Sequence, residues 1–380
     1  MKKYKLGDIC KIVSGSTPKT NVDEYWDGDI KWITPAELND DTYIITDSIR
    51  KITEIAVQKT GLTPLPEGTV ILSSRAPIGK VAIAGCKMYC NQGFKNLICS
   101  DKINNKYLYW FLKSKTSFLN SLGRGATFKE ISKSIVSEIE INVPNLAQQN
   151  EAVKIFEKVS RIIALRKQEL STLDSLTKAR FVEMFGDPVS NSYGLPEATL
   201  PELGEFGRGV SKHRPRNDPK LLGGDYPLIQ TGDVANAELY ITSYNSTYSE
   251  LGLKQSKMWD KGTLCITIAA NIAKTAILKF DACFPDSVVG FTANEKTNNI
   301  FIHYWFSFFQ AILESQAPES AQKNINLKIL SELKVIVPEK EKQDEFLNFV
   351  KQIDKSKAAV QKALDEAQLL FDSLMQQYFG

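Results

Sequence analysis

The sequence predicts an α+β protein of duplicated plan: two related domains, mostly β with a few helices, separated by a pair of long helices pairing as an antiparallel coiled coil about a pseudo-twofold axis. Three observations carry this reading. A helical stretch with heptad spacing occurs twice, the two copies match at a constant offset of 194 residues, and the segments between them are short β-branched runs bounded by Gly, Pro and Asp. The chain then divides into a domain over 1–144, a long helix over 145–186, a second domain over 187–338 and a second long helix over 339–380.

The helices come first because they set the repeat. Pro144 recurs as Pro338, Gln149 as Gln343, Phe156 as Val350, Leu170 as Leu364 and Gly186 as Gly380. In the first copy Phe156, Ile163 and Leu170 form one seam row and Ala152, Val159 and Leu173 the other. In the second, Phe346, Ile353, Val360, Ala367 and Leu374 form one row, and Val350, Leu364, Phe371 and Tyr378 the other. Two helices with matching knobs are expected to pair. Arg166, Thr177, Arg180 and Lys357 interrupt the seams, to snorkel, to fix register or to receive a partner. Asn145 and Gln148 read as a capping box, and Gly186 with Pro188 ends the first helix, which at 1.5 Å per residue spans about 60 Å.

Before the first helix, Lys31–Leu38, Thr69–Ser74 and Lys80–Gly85 read as strands. Lys106–Ser114, KYLYWFLKS, carries its aromatic and aliphatic residues at helical spacing and is read as a core-facing helix rather than a base-stacking platform. The second domain repeats these blocks: Gly28–Leu38 parallels Gly224–Val234, Ser73–Ile83 parallels Thr267–Ile277, and Glu138–Pro144 parallels Glu332–Pro338. Both copies also carry a Trp, Trp110 and Trp305, in the helix before the spacer. The period is far longer than a solenoid repeat, so a domain with its helix has been copied once.

Composition excludes more than it assigns. A hydrophobic content of 43% with 24% charged residues suits a soluble globular chain, and 380 residues suit about two domains. A net charge of +3 permits nucleic-acid binding without arguing for it. The six cysteines form no CxxC pair and there are two histidines, so zinc spacing has no support and reduced, buried thiols are expected. The start of the chain carries no apolar run and no stretch reaches about 18 apolar residues, which points to the cytoplasm.

No catalytic signature emerges. Gly79-Lys80-Val81 lacks the upstream glycine and the Ser or Thr of a phosphate-binding loop, and no glycine-rich cofactor turn is followed by a partner acid. Catalysis and a bound cofactor are therefore not expected of this chain alone.

Basic residues cluster where phosphate contact is possible. Arg208, Lys212, His213, Arg214, Arg216 and Lys220 lie in one Gly/Pro-rich loop, which reads equally as a solvated surface or as a DNA contact. The matching turn in the first domain is Ser14–Lys19, less basic, with Lys19 at its end. Lys80 pairs with Lys274 and Lys129 with Lys323 across the repeat, as suits phosphate contacts, which position without reading sequence. Where the halves differ, discrimination is expected: Arg75 stands opposite Ala269, and Pro77 opposite Asn271, each read as a base contact or as a residue with an unrelated structural role. Arg suits guanine and Asn adenine in the major groove.

This arrangement resembles the specificity subunit of type I restriction-modification systems. The resemblance covers the whole chain and rests on SGSTP, SRAPIGKVAI, NQGFKNLI (Asn91–Ile98), PNLAQQ (Pro144–Gln149) and ARFVEMFGDP (Ala179–Pro188), in order and with recurrence. It implies two target-recognition domains, each reading one half of a split, asymmetric site in double-stranded DNA, with the paired helices setting the gap. It also implies two modification subunits, which bring S-adenosylmethionine and methylate adenine, and two ATP- and Mg-dependent restriction subunits. The alternatives are a scaffold without a DNA role, or a methyltransferase or nuclease with an unrecognised site.

Overall fold

A computed structural model describes residues 2–125, 129–269, 271–316 and 325–380, without the side chains of 314–316. Two compact units emerge, Met1–Gln168 with Gln361–Gly380, and Glu169–Val360. Both long helices, Leu146–Phe185 and Lys340–Phe379, are 40 residues long and are shared between the units, each contributing one half to each. The compact units therefore cut across the order of domain and helix along the chain.

In the first unit a five-stranded sheet has the order Cys10–Ser14, Phe94–Cys99, Val70–Ser73, Val81–Ala84, Ile44–Ile45. Its central strand, Val70-Ile71-Leu72-Ser73, is buried on both faces, which is why it reads as a continuous apolar run. Alternation sends Val70 and Leu72 towards a core shared with Leu108, Trp110 and Phe156. Ile71 and Ala82 face the opposite way, into a smaller core with Ile33, Cys90 and Phe94. A second sheet, Arg50–Ile52, Trp26–Ile33 and Tyr89–Cys90, lies on that side, while Lys2–Lys5 pairs antiparallel with Glu140–Val143. The helix Asn105–Ser114 is capped by Asn104, and Tyr107 through Leu112 are all buried, so its aromatic residues are core and are not offered to bases.

The second unit has the same sheet order, Gly204–Arg208, Val288–Ala293, Leu264–Thr267, Thr275–Leu278, Tyr240–Ile241, with a four-stranded second sheet. Trp110 and Trp305 lie in the helices Asn105–Ser114 and Asn299–Gln316, as the sequence indicates, but on different faces. Tyr304, not Trp305, stands 194 positions beyond Trp110, and its ring lies 5.4 Å from Phe346. Trp305 is turned by one residue, about 100° round the helix, and stacks on Phe309 at 4.1 Å.

Each long helix is fastened to its own domain in the same way. The Gln149 amide donates to the carbonyls of Pro144 (2.9 Å) and Lys102 (3.1 Å), and its oxygen accepts from the Asn104 N–H (2.8 Å). Gln343 donates to Pro338 (2.9 Å) and Lys296 (3.0 Å) and accepts from the Thr297 hydroxyl (3.0 Å). Both side chains are fully buried. Asn145 caps the helix through the Gln148 N–H as the sequence suggests, but Gln149 makes the long-range attachment.

The helices pair antiparallel within each unit. In the first unit Phe156 meets Phe371 at 6.0 Å and stacks on Phe379 at 5.6 Å; in the second Phe346 meets Phe181 at 5.3 Å and Phe185 at 5.7 Å. Val159, Ile163, Val350, Ile353 and Val360 are buried, and Leu170, Leu173, Leu364 and Leu374 are half-buried along the same rows. The heptad layout misses Phe181, Phe185, Met375 and Phe379, which are buried because the apolar stripe continues in steps of four at the ends of both helices. The polar seam residues have partners: Arg180 bonds Glu345 on the facing helix (2.8 Å), and Lys357 is paired with Asp174 and with Glu238 (3.4 Å). Thr177 is buried and bonds back to the Leu173 carbonyl. Among the described residues no helix is long and apolar enough to cross a membrane.

Replacing Gln149 by Leu removes the partner of two carbonyls and an N–H. The expected cost is about 2 kcal/mol, roughly thirtyfold in amide protection over residues 102–106 and 146–152 by hydrogen exchange. Unchanged protection would show that the glutamine merely fills space.

Candidate nucleic-acid interface

Three loops far apart in sequence meet at one end of the first five-stranded sheet. The turn Ser14–Lys19 is fixed by Ser16 N–H to the Cys90 carbonyl (2.9 Å) and by the Thr17 hydroxyl to Gln92. The loop after Ser73 is fixed by Ser74 N–H to the Gly93 carbonyl (2.8 Å), and Ile131 N–H bonds back to Ser74 (2.9 Å). SGSTP, SRAPIG and NQG are thus neighbours on one surface.

The second unit builds the same surface with the same bonds, displaced by 194 residues. Val210 N–H bonds Phe284 (3.1 Å), Ile268 N–H bonds Ser287 (3.0 Å), and Ile325 N–H bonds Ile268 (3.0 Å). The loop between the central strands is clamped alike. The Ser73 hydroxyl donates to the Pro77 carbonyl and accepts from Lys80 N–H, as the Thr267 hydroxyl does with Asn271 and Lys274. Gly79 (φ 91°) and Ala273 (φ 57°) both take the left-handed conformation at the end of the loop. Despite the Gly-to-Ala difference, the backbone is therefore repeated while the side chains at its tip are not.

The candidate side chains fall into distinct settings. Arg75 is 44% exposed and its Nε donates to Glu130 (2.9 Å); Glu130 also holds Lys95 (3.0 Å), whose side chain is only 8% exposed. Burial alone would raise the Glu130 carboxyl, but Lys95 and Arg75 outweigh it and hold it below the usual range. Asn271 is exposed at the tip of the second loop. Lys19, Lys129 and Lys212 are exposed, and Lys274 is half-buried. Lys80 departs from its expected role: its ammonium is spent on the Leu38 carbonyl within the domain, so it is poorly placed as a phosphate contact. Lys323 lies outside the described residues.

Arg214 and Arg216 are exposed, but both are paired with Asp286, at 3.6 Å for Arg214, and Arg214 also donates to the carbonyls of Ser211 and His213. The basic loop is therefore partly neutralised by an acid that stands where the first domain has Gln92, a relation invisible until the fold joins positions 70 residues apart. His213 pairs with Asp218 at 3.2 Å, and burial pushes half-buried His303, which is bonded to the Thr275 hydroxyl, down to about 4.

A duplicated α+β chain with two equivalent loop faces defines a class of two-site recognition proteins. The chain belongs to the family described as the type I restriction modification DNA specificity domain, which matches residues 1–175 and 197–368. It is 39% identical over 186 residues to the type I restriction enzyme MjaIX specificity subunit of Methanocaldococcus jannaschii, covering 48% of this chain and 43% of that protein. The chain thus spans less than half the length of that relative. The putative MjaX specificity subunit of the same organism is 23% identical over 94% of this chain and 89% of its own length. Among solved structures, the S subunit of the type I restriction-modification system of M. genitalium covers this chain fully and 96% of itself, with a TM-score of 0.59 at 16% identity. A chain from a study of complex assembly and conformational transition of the type I R-M system gives 0.63 at 16% identity, over all of this chain and 97% of its own. These two likenesses concern the fold.

Asp286 tempers the charge of the second face. Asp286→Asn is expected to tighten binding to random duplex and to steepen its dependence on salt by about one unit for each arginine released to a phosphate. Arg214→Ala with Arg216→Ala should do the reverse; an unchanged slope in both would place this loop away from the duplex.

Proposed function

We propose that this chain is the sequence-reading subunit of a type I restriction-modification complex, with each domain reading one half of a bipartite, asymmetric site in double-stranded DNA. The observation that carries the reading is the loop face built twice by the same hydrogen bonds but tipped with different side chains. A common scaffold with Arg75 in one copy and Ala269 in the other, and Pro77 against Asn271, gives two similar grips that read different bases. The paired helices act as the ruler for the gap between half-sites.

The chemistry belongs to the partners. The chain supplies recognition, and two modification subunits bring S-adenosylmethionine for adenine methylation; two ATP- and Mg-dependent restriction subunits complete the assembly. Leu176 and Leu370, equivalent across the repeat, are 47% and 52% exposed on the long helices. Leucines left in water at matching places on the two helices suit two copies of one partner.

The test is coexpression with the modification subunit in a host without adenine methylation, followed by mapping of methylated adenines. A single bipartite, asymmetric motif is expected; scattered methylation, or none from an assembled complex, would refute the reading. Inserting four residues near Leu170, about 5.4 Å of helix, should alter the preferred gap or abolish methylation while leaving no preference for the original gap. Leu176→Glu or Leu370→Glu should each cost one of two modification subunits by native mass spectrometry.

A further inference from the structure

We propose that Arg75 reads a guanine in the half-site of the first domain, held in reading position by Glu130, which Lys95 in turn fixes from within the fold. The assignment rests on the recognition reading above and adds the residue, the base and the positioning device.

Arg75 sits at the exposed tip of the clamped loop, beside Ala76 and Pro77, which are also exposed. Its backbone is bridged to Glu130, so the residue is tied to a second segment of chain as well as to its own loop. The guanidinium uses Nε for Glu130 at 2.9 Å. Among the described residues its two terminal amino groups make no hydrogen bond, and they form the edge that can donate in parallel to the O6 and N7 acceptors of guanine.

The support behind Glu130 is unusual. Lys95 is nearly buried, and its ammonium meets Glu130 at 3.0 Å and the Ser74 hydroxyl at 3.3 Å. A buried lysine is costly unless paired, so its place beneath an exposed arginine points to orientation rather than stability. Lys95, Glu130 and Arg75 form a line from the sheet to the surface, with one carboxylate oxygen for each cation. Geometry fixed from below leaves little rotamer freedom to lose on binding.

The second domain lacks this device. Ala269 stands for Arg75 and Val289 for Lys95. The clamp of the loop is common to both halves, whereas the arginine and its buried lysine belong to one. The guanine preference should therefore be confined to one half-site.

The experiment uses the full chain assembled with its modification subunit, mapping methylated adenines for the parent, Arg75→Ala, Arg75→Lys and Glu130→Gln. The parent motif should hold a fixed G·C pair in one half. Arg75→Ala and Arg75→Lys should each lower preference for that pair by roughly ten- to hundredfold. The other half-site and the gap should be unchanged, and Glu130→Gln should relax the same position to a smaller extent. A uniform fall in methylation with the motif intact would make Arg75 a phosphate contact and overturn the assignment. So would an unchanged motif, a change at an A·T position, or a parent motif without a G·C pair in either half. A parent complex that methylates no bipartite site would overturn the recognition reading as well, so the two failures are told apart.

Discussion

Two buried glutamines hold this architecture together. Gln149 and Gln343 each lie at the start of a long helix and bond to the turn before it and to a loop of the preceding domain. A buried amide must satisfy its donors and acceptor, so the helix can leave the domain in one direction only. An apolar residue of similar size would fill the space without specifying that direction. Because the two anchors are equivalent, so are the two exits.

The seam adds a second constraint. In one unit Ala152 and Phe156 face a helix end carrying Met375 and Phe379; in the other Phe346 and Val350 face Phe181 and Phe185. The large and small residues have changed places, but each cluster remains buried. Both sets stay apolar while the individual sizes differ, as a core that tolerates hydrophobic substitution allows. The recognition faces show the complementary pattern, with backbone bonds retained and exposed side chains exchanged.

Periodicity made the duplication, the helix lengths and most of the seam legible in the sequence. The loop motifs were legible as repeats too, but not as neighbours, because the bonds joining Ser16 to Cys90 and Ser74 to Gly93 depend on strand order. For the same reason the pairing of Arg75 with Glu130, 55 positions away, and of Arg216 with Asp286, 70 away, could not be read from local spacing. Lys80 shows the same limit: the repeat marks its position, but only the fold shows its ammonium bonded to the Leu38 carbonyl. Trp110 and Trp305 each lie in the helix read for them but one residue out of register, which turns the two side chains to different faces.

If each repeat is a complete reader with its own anchored helix, a chain built from the first repeat twice should read one half-site twice. Replacing residues 195–380 by a second copy of 1–186 keeps the connection at 187–194 and the antiparallel seam. Mapped adenine methylation by this chain, assembled with the modification subunit, measures the claim most directly. The duplicated plan predicts a symmetric site, the first half-site followed by its reverse complement. An asymmetric site, or a half-site unlike either of the parent's, would show that the two halves do not read DNA as equivalent and independent units.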